Sequence, residues 1–235
     1  MLNLLAAERM KLKRNRLLMV CSIVAILLPA LSLGGSAQSS LSESIFSLQF
    51  TCQLVVYPIL SGFIITFLFQ KEYGDHTIIN NLLAPISRIK FLIGKLTIWG
   101  LWHITITICF LAIACVGVYF SYGETVFFEN GAAIIGVVLK AGIFNLGTLL
   151  PVAWIAVIQR KTFYPSLFFT LIITALGFVG MTPPGLLLNL IPWTAVYQII
   201  IPGREVINGV AYTSIIVCSA LGFGLAAYSI KKQEL

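Results

Sequence analysis

Charge is scarce in this chain. Only 10% of its 235 residues are Asp, Glu, Lys or Arg, and 8 acidic residues stand against 15 basic ones. With 59% hydrophobic residues and a mean hydropathy of +0.99, there is too little polar surface to cover a water-facing fold, so lipid must be the solvent. Catalytic equipment is equally thin. The two histidines, His76 and His103, belong to no HExxH pattern, there is no nucleophile elbow, and no carboxylate pair sits within an apolar run. Gly94-Lys95 ends like a phosphate loop, but Ile89 occupies the position that needs glycine and Leu96 follows the lysine, so ATP is not bound by that route. The five cysteines, Cys21, Cys52, Cys109, Cys115 and Cys218, lie within or beside apolar segments without metal-ligand spacing, which makes them packing residues.

What is present is a series of apolar runs at 17–34, 52–69, 96–120, 132–158, 163–181 and 210–230, each of a length suited to a spanning helix. The first follows Arg9, Lys11, Lys13, Arg14 and Arg16 and could end as a secretory signal cut near Ser36-Ala37. Its length, the long basic segment before it and the spans after it favour an uncleaved first helix. The net charge of +7 is gathered in short clusters beside these runs, where anionic inner-leaflet lipid, not nucleic acid, is the natural partner.

The clusters alternate. Basic residues fall at the N terminus, at Lys71, Arg88, Lys90 and Lys95, at Arg160 and Lys161, and at Lys231 and Lys232, while the intervening loops hold Glu43, Glu124, Glu129, Arg204 and Glu205. Cytoplasmic loops retain Lys and Arg, so six crossings with both termini in the cytoplasm are expected, as a single all-α integral membrane domain.

The stretch 182–209 is apolar but cut by Pro183, Pro184, Pro192 and Pro202 into pieces too short to cross. It is expected outside or re-entrant, packed on the bundle or lining a cavity. Trp193 and Tyr197, four residues apart, suit an interfacial belt. Lys140 is expected to be the sole ionisable residue near mid-membrane, on a helix face with Gly136, Phe144, Gly147 and Pro151. That face either packs on other helices or lets the lysine snorkel outward. Gly222 and Ala226 in the last run, or Gly136 and Lys140 in the fourth, permit close helix contact, within the chain or between copies.

In the loop after the second run, Asp75 or Thr77 can cap a short helix that Pro85 ends. Ile78, Ile79, Leu82 and Leu83 share one face of it, with Asn80 and Asn81 elsewhere. Such a helix can lie on the inner leaflet or dock into a groove on a cytoplasmic partner.

Glu72, Gly74, Thr77, Leu82-Leu83, Pro85, Ser87-Arg88 and Lys95, with the N-terminal Ala7-Glu8-Arg9-Met10-Lys11-Leu12-Lys13-Arg14, resemble type-two ABC transporter permeases, in particular the small six-span subunits of bacterial exporters of bacitracin and lantibiotic-type peptide antibiotics. The resemblance implies an N-terminal elbow helix at 1–16, six spans, a coupling helix at 78–84 in a cytoplasmic loop, and an external re-entrant segment at 182–209. It further implies a dimer, with itself or with a second permease, carrying cytoplasmic ABC ATPase subunits that grip the loop. Glu72, Gly74, Thr77, Ile78, Ile79, Leu82, Leu83, Pro85 and Arg88 would then serve ATPase coupling. Lys140, Phe144, Gly147, Trp193 and Tyr197 would line a substrate path or a helix interface. This chain would hold no cofactor, ATP and Mg being bound by the partner ATPase. The expected substrate is an amphipathic peptide or lipid-linked molecule, exported for resistance or self-immunity across a bacterial plasma membrane. His76 before the threonine and the paired asparagines depart from the family pattern. Two rival readings follow from the residues alone: an ATP-independent secondary transporter or channel, whose polar midplane site is weak here, and a membrane enzyme using Glu72, Asp75 and His76.

Overall fold

The computed structural model describes residues 15–32, 40–74, 87–159, 162–183, 185–201 and 206–232. The expected elbow residues before Asn15 and most of the loop between Gly74 and Ser87 lie outside that set. The described residues are helical throughout: α1 (Arg16–Ser32), α2 (Leu41–Leu48), a π-helical stretch (Gln49–Val56), α3 (Tyr57–Gly74), α4 (Arg88–Tyr122), α5 (Glu124–Thr148), α6 (Leu150–Ile158), α7 (Tyr164–Val179), α8 (Leu186–Leu190), α9 (Pro192–Ile200) and α10 (Asn208–Lys232).

Among the described residues, four helical stretches are long and apolar enough to cross a membrane: Leu41–Lys71, Arg88–Tyr122, Glu124–Ile158 and Asn208–Lys232. Two shorter apolar helices, α1 and α7, fall at the expected first and fifth crossings. The chain is therefore a multi-pass helical membrane protein.

Local chemistry sets the boundaries. Ser40 opens α2 with a reciprocal capping box, its Oγ accepting from the Glu43 amide while the Glu43 side chain accepts from the Ser40 amide. The second membrane helix thus begins at Leu41, eleven residues ahead of the apolar run (52 − 41 = 11). The run starts late because Ser42, Glu43, Ser44, Ser47 and Gln49 dilute the apolar signal ahead of it, yet Ser44 and Gln49 are buried. Gly123, at φ 89°, joins α4 to α5 through a backbone shape that a side chain resists. The fourth expected span is interrupted at Leu149, where Pro151 in the first turn of α6 restarts the helix without needing an amide donor.

The last helix packs chiefly on α6, while α4 pairs with α5 and α3 lies against α6 and α7. Gly222 makes the α6–α10 contact possible, since a Cβ there would sit 2.6 Å from the Pro151 backbone nitrogen. Ala226, one turn on, is fully buried. This pair of small residues is consumed by packing within the chain. Outward faces of α1, α4, α7 and α10 carry exposed apolar side chains such as Leu31, Ile108, Phe168 and Leu221, suited to acyl chains.

Among the described residues of 182–209 are two short helices, α8 and α9, and α9 packs against α5, α7 and α10. It is a broken element held on the bundle. If the close approach at Gly222 sets the α6–α10 distance, Gly222→Val should destabilise the detergent-solubilised protein by about 1–3 kcal/mol through overpacking. Gly224→Val, where an added Cβ meets nothing within 4 Å, should leave the melting midpoint unchanged.

Candidate functional site

Two polar nodes tie the helices at depth. Near the middle of α4, His103 is buried between α3 and α5, with Nδ1 3.1 Å from Ser61 Oγ and Nε2 3.1 Å from the Gly142 carbonyl oxygen. A carbonyl only accepts, so Nε2 carries a proton and donates to Gly142, while Nδ1 pairs with the serine hydroxyl. Trp99 Nε1 donates to the Ser61 carbonyl at 2.9 Å. The imidazole is engaged on both sides, which makes it a three-helix fastener.

The second node surrounds the π-helical stretch. Asn145 Nδ2 of α5 donates to the Gln53 carbonyl at 2.9 Å, and Tyr197 OH of α9 donates to the Leu54 carbonyl at 2.9 Å. Gln53 Nε2 donates in turn to the Val138 carbonyl at 2.7 Å. Trp193 Nε1 donates to the Thr148 carbonyl at 3.0 Å, at the break between α5 and α6. Side chains from α5 and α9 thus reach main-chain oxygens where the regular helix is disturbed, the places at which unpartnered carbonyls in lipid are most costly.

These contacts correct one expectation. Trp193 and Tyr197 do not form an exposed belt; Tyr197 is only 3% exposed and both rings anchor α9 inside the bundle. The amphipathic character that suits an aromatic to a headgroup region also suits it to bonding a buried carbonyl.

Lys140 is exposed on α5. The face it was grouped with is split: Phe144 meets Tyr212 edge-on at 5.6 Å, a Cβ on Gly147 would lie 2.6 Å from Ser219 Oγ, and nothing would meet one on Gly136. From Phe144 onward the face packs on α10, and above it the lysine points outward. The expectation that Lys140 is the sole ionisable residue near mid-membrane also fails, since His103 lies near the middle of α4 and is 1% exposed. The signal was a histidine in mid-run, whose partners lie far off in sequence.

Of the coupling residues, Glu72 and Gly74 fall in the last turn of α3 and Arg88 opens α4. Thr77, Ile78, Ile79, Leu82, Leu83 and Pro85 lie outside the described residues, as do Asp75 and His76. Ser87 caps α4 by accepting from the Lys90 amide, and the Arg88 guanidinium donates to the Lys231 carbonyl at 3.0 Å, bringing the loop's end to the end of α10. All five cysteines are free, with Cys21 and Cys52 buried. Among the described residues no group of His, Cys, Asp and Glu could hold a metal.

The helical membrane architecture and the loop flanked by these elements meet the comparisons with known proteins at this point. The family described as ABC-2 family transporter protein matches residues 4–177, and the chain belongs to that family of type-two ABC permeases. It is similar to the bacitracin transport permease protein BCRB of Bacillus licheniformis, 25% identical over 144 residues that cover 60% of this chain and 66% of that relative. The chain therefore spans slightly under two thirds of the relative it matches. Membership makes it a permease of the ABC transporter class.

The nodes predict graded effects. His103→Leu strands the Ser61 hydroxyl and the Gly142 carbonyl and should cost about 1–2 kcal/mol in detergent unfolding. His103→Gln, which keeps one donor and one acceptor, should recover part of that loss in the same measurement.

Proposed function

We propose that this chain is the permease subunit of an ATP-driven exporter in a bacterial plasma membrane. It crosses six times, with both termini and the 78–84 coupling helix on the cytoplasmic side and the 182–209 pair outside. It pairs with itself or a second permease and carries two ABC ATPase subunits that bind ATP and Mg. The substrate is an amphipathic peptide or lipid-linked molecule, moved outward for resistance or self-immunity to a peptide antibiotic.

One observation carries this reading: the family match over residues 4–177 takes in both the N-terminal basic segment and the loop after the second membrane helix. The name of the similar bacitracin permease supports the substrate class. The fold supplies a plausible mechanical route, because α3 runs from the loop to the π-helical stretch, and that stretch is bonded to Tyr197 of α9. A push on the loop during ATPase closure would be carried through a packed helix to the outer pair, rocking one bundle against its partner. Coupling to an ion gradient finds less support, since His103 is engaged at both ring nitrogens and Lys140 is exposed.

Expression with an ABC ATPase encoded beside it should give a complex that co-purifies and hydrolyses ATP. Leu82→Asp places an unpaired carboxylate on the apolar face of the loop helix and should lower ATPase recovery at least about tenfold, an effect of about 1.4 kcal/mol. Asn81→Asp, off that face, should leave recovery intact. A chain that purifies alone, or an ATPase indifferent to Leu82→Asp, would contradict the proposal.

A further inference from the structure

A groove of about 740 Å³ lies along α10, walled by Trp154 of α6 and roofed by Leu190 and Pro192 of the re-entrant pair. Its floor follows α10 from Gly209 to Leu225, a run of about 24 Å at about 1.5 Å per residue, most of an apolar bilayer core of about 30 Å. The two hydroxyls in its outer part turn back on their own helix: Thr213 Oγ1 donates to the Gly209 carbonyl and Ser214 Oγ to the Ala211 carbonyl. What faces the groove is therefore hydrocarbon. Val217 and Leu221, 49% and 58% exposed, have no protein covering them.

The groove has a charged end. Lys232 stands two helical turns beyond Leu225 and so on the same face of α10. Lys231 and Lys232 are exposed, and the Arg88 guanidinium reaches the Lys231 carbonyl. Lys232 thus stands in line with the apolar channel, with Lys231 beside it in the last turn of α10. Tyr228 lies between, 61% exposed, with Lys232 Nζ 5.9 Å from its ring centre. That is the layout of a lipid site: a hydrocarbon slot below and a cationic clamp at headgroup level.

We propose that this groove holds an acyl chain of an anionic phospholipid from the cytoplasmic leaflet, its phosphate seated at Lys231 and Lys232. A vacant slot of this depth would cost its lining the dispersion contacts that an acyl chain restores. The clamp selects the charge of the headgroup. The site rests on the proposed orientation with the C terminus inside, but not on nucleotide or transport.

The test uses the full chain in lipid vesicles containing a trace of photoactivatable phosphatidylglycerol or phosphatidylcholine, the reactive group being near the middle of the acyl chain, with crosslinks mapped by peptide mass spectrometry. The anionic probe should label the 210–225 segment several-fold more than the neutral one. Val217→Trp, filling the slot with a side chain at a half-exposed position, should abolish that labelling. Leu221→Trp provides a second filler should the first misfold. Lys231→Glu combined with Lys232→Glu should make the two probes equal. Equal labelling by both probes in the unmodified chain, or labelling that survives both tryptophan fillers, would overturn the proposal. So would efficient Cys218–Cys218 crosslinking between chains in native membranes, which would give the groove to a second copy. Because no ATPase is present, these outcomes are independent of the exporter reading.

Discussion

The contacts on which this structure depends are hydrogen bonds from side chains to main-chain oxygens inside the apolar slab. In hydrocarbon no water completes a broken helix, so each irregular turn must find a partner within the protein. This chain has two such irregularities at depth, the π-helical Gln49–Val56 and the break at Leu149. Asn145, Tyr197 and Trp193 answer them, bonding Gln53, Leu54 and Thr148. Two of these donors belong to α9, so the same bonds that make the irregularities tolerable hold α9 in place.

This arrangement links structure to mechanism. A regular spanning helix presents only side chains to its neighbours and can slide; one whose own carbonyls are gripped from α5 and α9 moves with them. The second membrane helix begins at a capping box near Ser40 and ends at Gly74, where the proposed ATPase-facing loop starts. Between those ends it is fastened twice, at the π-helical stretch and through Ser61 to His103. It is the natural lever of the subunit, and Gly222 and Gly147 provide the close α10 contacts against which the bundle is braced.

Much of this layout was legible in the sequence because lipid imposes it: uninterrupted apolar length marks a membrane helix, and clustered lysines and arginines mark one side. The broken character of 182–209 was legible from its prolines, which emerge at Pro192 as the start of α9. The early start of the second helix was not, because Ser42, Glu43, Ser44, Ser47 and Gln49 read as polar residues outside a span, although Ser44 and Gln49 are buried. Trp193 and Tyr197 were misplaced for a related reason: an aromatic with one polar atom carries the same signature whether that atom meets a headgroup or a buried carbonyl. His103 was passed over because its partners, Ser61 and Gly142, lie about forty residues away on either side, and Lys140 drew attention because a charge is conspicuous in sequence even when it is exposed.

The central claim is a six-crossing subunit with the ATPase-facing loop inside and the α8–α9 pair outside, and α7 decides it. If α7 crosses, Thr182 must lie on the same side as Glu124 and opposite Ser87. The most direct measurement is labelling of single cysteines at these three positions, in a background lacking the native five, with an impermeant maleimide applied to intact cells and to inverted vesicles. The account predicts that Glu124→Cys and Thr182→Cys react from outside and Ser87→Cys only from within. Reaction of Thr182→Cys from the same side as Ser87→Cys would contradict it, returning the re-entrant pair to the cytoplasmic face and the C-terminal lysines to the outside.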